Sequence, residues 1–204
     1  MSSAERDQPE PKVTLWLDPV CPFSWNTARW LRAVAENAGL AVDWRLMSLA
    51  VLNEGRELPQ AQQARMRDSQ QIGRLMTAIA REQGTAGWVA AYFAFGERYF
   101  DRSEALDANL VAHVLMTVGA RGAVAAAVSD ASLDELVRQQ HQAGQEALGE
   151  TGGSPILRIG EHAFFGPVLT APPEAEAATA LFDAVATLAA TPQFAQLQRP
   201  RAAA

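Results

Sequence analysis

The chain has 204 residues, with 17 Lys and Arg against 23 Asp and Glu and a formal net charge of -6. Phosphate-binding surfaces rely on clustered Lys and Arg, and no strong basic run offsets this acidic balance, so a nucleic-acid partner is not expected. With 49% apolar and 20% charged residues, the chain has the composition of a soluble globular protein, long enough for one large domain or a core domain carrying an insertion.

The N-terminal segment Met1 to Pro11 is polar and mostly acidic and has no apolar h-region. It reads as a disordered lead-in (1–11) and not as a signal peptide. Elsewhere the apolar stretches are interrupted, as at His113, Arg121 and Asp130, before they could span a membrane. Cys21 is the single cysteine, which excludes an internal disulfide framework. These features together predict a cytoplasmic protein without a membrane partner.

The first structured segment is Val13 to Leu17, an apolar and β-branched run bounded by Asp18-Pro19 and read as a short buried strand. A helix is expected to open at Cys21-Pro22, because proline suits a first helical position that needs no N–H. Trp25, Ala28, Leu31 and Ala35 then recur at helical spacing, and Gly39 supplies the stop. Leu40, Val42, Trp44 and Leu46 alternate with polar or small residues and predict a second strand, paired parallel to the first through a right-handed crossover.

From about Leu58 to Leu148 the chain is rich in Ala, Gln, Arg and Leu with helical periodicity. Helical runs are read at Met66 to Gln83, Gly87 to Phe100, Asp107 to Val118 and Leu133 to Leu148, with breaks at Gly84-Thr85, Asp101 to Ser103, Gly119 to Gly122 and Ser129 to Ser132. Strand signals return at Pro155 to Ile159, and after the turn Gly160-Glu161 the segment His162 to Phe165 reads as the second arm of a hairpin. An amphipathic helix follows at about Pro173 to Ala189, and Pro192, Phe194 and Leu197 suggest a tail docked on the body. The order is β-α-β, a helical block, then β-β-α. It predicts an α/β domain of residues 12–57 and 150–204 interrupted by a helical insertion domain of residues 58–149.

Cys21 carries the chemistry. Between a strand and a helix, its sulfur is expected to lie near unpaired backbone N–H groups and the positive end of the helix dipole. Cysteines so placed can fall from a pKa of about 8.5 to roughly 3.5–7.5, so a thiolate is expected. A lone cysteine is more often buried and inert; the strand–Cys–Pro–helix context reverses that preference.

The sequence Cys21-Pro22-Phe23-Ser24 resembles the C-P-x-C redox motif of thioredoxin-like proteins. The element order resembles the DsbA-like branch, and the text is most similar to the actinobacterial mycothiol-dependent nitroreductases. The matching residues are Asp18-Pro19, Cys21-Pro22, Trp25, Arg29-Trp30, Met47 to Ala50, Leu52 to Glu54 and Phe164 to Leu169. The resemblance runs from about Val13 to Arg199 and implies a thioredoxin-like fold with an inserted helical domain. It also implies mycothiol (or glutathione) as co-substrate, with no tightly bound cofactor. Ser24 stands where a dithiol member has its second cysteine, so an internal disulfide cycle is closed to this chain. Ser24 can instead donate a hydrogen bond to the Cys21 thiolate. In thioredoxin-like folds a cis-proline at the start of the third strand faces the active cysteine. The resemblance gives that place to Pro155, with Ser154 offering its backbone to an extended thiol ligand.

Cys21 and Ser24 are thus the expected catalytic pair. Pro22, Phe23, Trp25, Asn53, Ser154 and Pro155 are the expected thiol- and substrate-binding residues, with Phe23, Trp25 and Trp88 read as lining an apolar cleft or as core. His141 is read as within reach of the site, His113 as packed and His162 as a hairpin residue. One Cys and three scattered His offer no metal-ligand spacing.

The leading expectation is a monothiol oxidoreductase that takes its second thiol from solution and acts on a small electrophilic or disulfide substrate, as a monomer or homodimer. Two other readings stay open. One is an enzyme like the kappa-class glutathione transferases or the 2-hydroxychromene-2-carboxylate isomerases, which activate a bound thiol. The other is a non-enzymatic thioredoxin-fold binding protein.

Overall fold

In the computed structural model, which describes residues 13–200, the five apolar and β-branched residues of β1 (Val13–Leu17) are all buried. The sheet order explains why. β1 lies inside a four-stranded sheet of order β2-β1-β3-β4, so both of its faces and both of its edges are covered. β2 (Val42–Leu46) pairs with it in parallel, Val13 opposite Val42 and Leu17 opposite Leu46. β3 (Ile156–Ile159) pairs with it antiparallel, and β4 (His162–Phe165) folds back on β3. Gly160 turns that hairpin with φ 61°, in the left-handed region that a side chain resists.

Helix α1 (Pro22–Ala38) joins β1 to β2. Proline opens it, Cys21 is its N-cap and Gly39 closes it at φ 63°, as the sequence predicts. The helical block then runs through the short α2 (Leu49–Leu52), the long α3 (Gln60–Gly96), α4 (Ala108–Val118) and α5 (Asp134–Leu148). Gly84 breaks α3 with φ 69° and ψ -168°, where the sequence predicts a break. The helix also begins earlier than the periodicity suggests and ends in a π-helical turn, Glu97–Asp101. Two further elements differ from expectation: α2, and a 3-10 segment at Gly122–Ser129. Helix α6 (Ala175–Ala189) closes the order. The lead-in assigned to residues 1–11 lies outside the described residues.

The faces of the sheet are covered by different helices. Val13, Leu15 and Leu17 join Trp30, Leu31 and Val34 of α1, Ala178 of α6 and Ile72, Leu75 and Met76 of α3 in one continuous core. The sheet and the helical block therefore share their burial. On the other face Trp16 packs with Met47 and Ile156, flanked by Ala147 and Leu148 of α5. Gly144 lets α5 come this close, since a Cβ there would stand 3.0 Å from the Trp16 ring. α1 and α6 are fastened by the Trp30 indole N–H, which donates to the Ala178 carbonyl at 2.9 Å. The tail docks in part. Phe194 meets Phe164 at 5.9 Å between ring centroids, whereas Pro192 and Leu197 are exposed, Leu197 between the exposed Gln196 and Gln198.

Three chain segments converge at one end of the sheet. β1 runs into the turn before α1, where the Cys21 N–H donates to the Asp18 carbonyl at 3.1 Å. β2 ends beside it, the Met47 N–H donating to the Leu17 carbonyl at 3.0 Å. Because β3 is antiparallel to β1, its start at Ser154-Pro155 falls at the same end, and this peptide bond is cis. A second cis bond, Gly166-Pro167, follows β4. The segment after it lies along α1: Thr27 Oγ1 donates to the Pro167 carbonyl at 2.7 Å and Asn26 Nδ2 to the Leu169 carbonyl at 3.0 Å.

The seat of α1 depends on Gly96, where an added Cβ would fall 2.4 Å from the Trp25 ring. Trp25 is buried and stacks with Phe100 at 5.9 Å, so it has little room to yield. Gly96→Ala is expected to lower stability by about 1–3 kcal/mol through overpacking, read as a lower urea midpoint. An unchanged midpoint would contradict this packing.

Candidate functional site

The site is built from the N-cap of α1 upward. Cys21 takes an extended conformation, φ -85° and ψ 115°, so that the helix begins at the next residue. The Phe23 and Ser24 backbone N–H groups and the Ser24 hydroxyl act on its thiol to lower the pKa. The sulfur also lies 3.3 Å from the carbonyl oxygen of Ser154, to which the thiol donates. Ser24 Oγ and Ser154 Oγ are 2.5 Å apart. Cys21, Ser24, Ser154 and Pro155 are thus brought together, all of them buried. Pro22 and Phe23 sit half-buried on the first turn of α1.

The ionisation state departs from the sequence expectation. Cys21 is only 4% exposed, and its pKa is raised above the ordinary thiol value, not lowered. Burial is the largest cause, and the negative charge of Asp18 adds to it. The helix N–H groups and Ser24 pull the other way, as expected of a helix N-terminus, but do not overcome desolvation. Cys21 therefore rests as a thiol.

Asp18 is a member of the site that sequence reasoning passed over. It is fully buried and accepts from the Val20 N–H at 2.7 Å, the Leu49 N–H at 2.6 Å and Ser69 Oγ at 2.5 Å. Burial still raises its pKa above the usual carboxylate value. Its own N–H donates to Ser154 Oγ at 2.8 Å. The available signal is an acidic residue closing a fully apolar strand just before a helix N-cap. Ser69 lies within a polar helical run and gives no such signal.

The other expected residues fall elsewhere. Trp25 does not line a cleft: it is 2% exposed, ringed by Tyr92, Phe93 and Phe100, and its indole N–H donates to Asp101 at 3.0 Å. Helical spacing turns it toward α3. Trp88 is likewise core, stacked on Tyr92. Asn53 caps the end of α2, its Nδ2 donating to the Leu49 carbonyl at 2.9 Å, so its side chain serves the local fold. His141 is buried on α5 and accepts from the Ser48 N–H at 3.5 Å, with burial lowering its pKa. It adjoins the Asp18 network through Ser48 and Ser69, whose hydroxyls are 3.4 Å apart. His113 is half-buried and His162 exposed. Among the described residues no group of three or more His, Cys, Asp or Glu could hold a metal ion, and no helix is long and apolar enough to cross a membrane.

The sheet order, a cysteine at the head of α1 and the cis-proline opening β3 define a DsbA-like thioredoxin fold with a helical insertion. Solved structures of low sequence identity share that fold. A 2-hydroxychromene-2-carboxylate isomerase matches with a TM-score of 0.60 at 19% identity, over 86% of this chain and 95% of that one. DsbL of Salmonella enterica serovar Typhimurium matches with a TM-score of 0.52 at 14% identity, over 89% of this chain and 90% of that one. The chain is also 32% identical to the uncharacterized protein Rv2286c of Mycobacterium tuberculosis over 198 residues, 94% of this chain and 83% of that one. A family model, Rv2466c-like mycothiol-dependent nitroreductase, matches residues 20–199. The chain belongs to this Rv2466c-like family of thioredoxin-fold oxidoreductases.

The raised thiol pKa makes a direct prediction. The rate of Cys21 alkylation by iodoacetamide is expected to rise with a midpoint above the free-cysteine value of about 8.5, because the reactive thiolate forms only as the proton leaves. A midpoint below about pH 7, where a helix-terminal thiolate would titrate, would contradict the burial and charge described here.

Proposed function

We propose that the protein is a monothiol oxidoreductase that exchanges Cys21 with a low-molecular-weight thiol, mycothiol in the first instance, in a cytoplasmic setting. The observation that carries this proposal is the Cys21 sulfur set at the head of α1 against the Ser154 carbonyl, with Ser24 where a resolving cysteine would stand. Ionised Cys21 attacks one sulfur of a mycothiol disulfide. The new bond joins Cys21 to that sulfur, the old S–S bond breaks, and one mycothiol thiolate leaves. Since Ser24 has no thiol, a second small thiol attacks the mixed disulfide, restores Cys21 and leaves as a disulfide.

The same cycle can reduce a nitroaromatic. Cys21 and one mycothiol give up two electrons and two protons as they join in a mixed disulfide. The nitro group takes these up, becoming nitroso with loss of water. A second mycothiol then frees Cys21 and forms mycothiol disulfide. The half-buried Pro22 and Phe23 flank the cysteine on the first turn of α1 and are the residues proposed to meet the small substrate, with the Ser154-Pro155 backbone holding the thiol ligand.

The resting thiol favours a second reading. A buried Cys21 with a raised pKa also suits an enzyme that binds and activates a separate thiol, in the manner of the kappa-class transferases. Full turnover by Cys21→Ser would select it.

Incubation with oxidised mycothiol is expected to add one mycothiol to the intact mass of the protein, and none to Cys21→Ser. Absence of the adduct on the unmodified chain would sink the monothiol proposal. Ser24→Cys supplies the missing thiol. In that variant the adduct is expected to disappear in favour of a disulfide between Cys21 and the introduced cysteine, lighter by two hydrogens than the reduced protein. A persistent adduct there would show that residue 24 does not face the sulfur.

A further inference from the structure

Met116, Phe165 and Leu197 are exposed large apolar side chains among the described residues. Met116 is on α4 and Leu197 in the tail, whereas Phe165 ends β4 beside the site. Single exposed apolar side chains are ordinary, but this one has a built seat. Phe164 lies opposite Leu157, and the Gly166 N–H donates to the Pro155 carbonyl at 2.8 Å. Between these two ties, Phe165 is held against the segment that leads into Ser154-Pro155. A Cβ on Gly153 would stand 3.2 Å from the Phe165 ring, and one on Gly152 would stand 4.0 Å from the Phe165 Cβ. The Gly153 backbone is outside the left-handed region, so this close approach, and not its conformation, calls for glycine there. Ser154 comes next, its hydroxyl turned to Ser24 and the Asp18 N–H and its carbonyl 3.3 Å from the Cys21 sulfur. The ring thus rests on the residue preceding that carbonyl, and Phe165 remains 47% exposed.

We propose that Phe165 is a specificity-determining residue, its ring the platform on which an electron-poor aromatic substrate stacks beside the Cys21 sulfur. The proposal rests on Cys21 acting as the nucleophile, as proposed above, and names the class of substrate that this nucleophile favours. Pro22 and Phe23, on the first turn of α1, border the sulfur from the helix side, and Phe165 borders it from the strand side. The face of a phenyl ring is electron-rich, so it pairs well, in an offset stack, with a ring whose electrons are drawn away. A nitro-substituted or pyridyl ring meets that description, and an aliphatic substrate does not. Because residues 152 and 153 carry no side chain, nothing from them stands between the ring and a substrate held along the Ser154 backbone.

The test compares two neutral disulfides, aromatic dipyridyl disulfide and aliphatic bis(hydroxyethyl) disulfide. With either one, the Cys21 thiolate bonds to one sulfur, the S–S bond breaks and the other half leaves as a thiolate. The two rates are read by intact mass at one fixed pH. Phe165→Ala is expected to lower the ratio of the aromatic to the aliphatic rate by about three- to tenfold, the fold-change that corresponds to one aromatic pair. Phe165→Trp is expected to keep the ratio. Phe165→Leu, apolar and of similar bulk, is expected to lose it as the alanine variant does. If Phe165→Ala does not fold, Phe165→Leu against Phe165→Trp makes the same comparison. An unmoved ratio in Phe165→Ala overturns the proposal. So does a ratio retained by Phe165→Leu, because apolar area and not an aromatic face would then select the substrate. Uptake of neither disulfide by the unmodified chain overturns it as well. All these rates are read without mycothiol. A missing mycothiol adduct with the ratios as expected sinks the proposed function alone, and an unmoved ratio with the adduct formed sinks the platform alone.

Discussion

The buried carboxylate of Asp18 holds the active end of this molecule together. Its two oxygens gather the Val20 N–H at the mouth of α1, the Leu49 N–H at the start of α2 and the Ser69 hydroxyl on α3. Its own N–H reaches Ser154 at the start of β3. Segments far apart in the chain are thereby fixed against one residue. A charge so deeply buried is tolerable only because each oxygen is hydrogen-bonded. Its raised pKa shows that desolvation is not fully offset even so.

This arrangement sets the chemistry of Cys21. A helix N-terminus offers N–H groups to the sulfur, and the Phe23 and Ser24 groups do engage it. The same fold brings in Asp18 and closes the protein over the sulfur, and these two effects win. The thiol is held in reserve, and Ser24 only partly offsets the rise in its pKa. Serine at the place of the second cysteine removes the resolving thiol but keeps a hydroxyl, which is hydrogen-bonded to Ser154 Oγ.

Most of the fold was legible in the sequence because its signals are local. A continuous apolar run marked β1, proline and glycine marked the ends of α1, and Gly84 marked the break in α3. The early start of α3 at Gln60 was hidden in an exposed polar stretch where periodicity has nothing to report. The site was legible where residues adjoin in sequence, at Cys21 to Ser24, and at Ser154-Pro155 through family resemblance. The thiol's ionisation was not legible. It depends on how deeply the sulfur is buried and on the nearby Asp18 carboxylate, and each is a property of the folded chain. Trp25 was misplaced for the opposite reason: an aromatic residue near a reactive cysteine suggests a cleft, while its helical phase directs it into the core.

The segment after Gly166 has a mechanical consequence. Its Pro167 and Leu169 carbonyls hold Thr27 and Asn26, while the opposite flank of the same helical turn is moored through Trp25 to Asp101. Gly166 is itself tied to Pro155 by a 2.8 Å hydrogen bond. The helix carrying the cysteine and the strand carrying its facing carbonyl thus share a single brace. Beside the direct ties of Asp18 and Ser24 to Ser154, that brace links both sides of the gap, and a change in the C-terminal segment would be transmitted to both jaws at once.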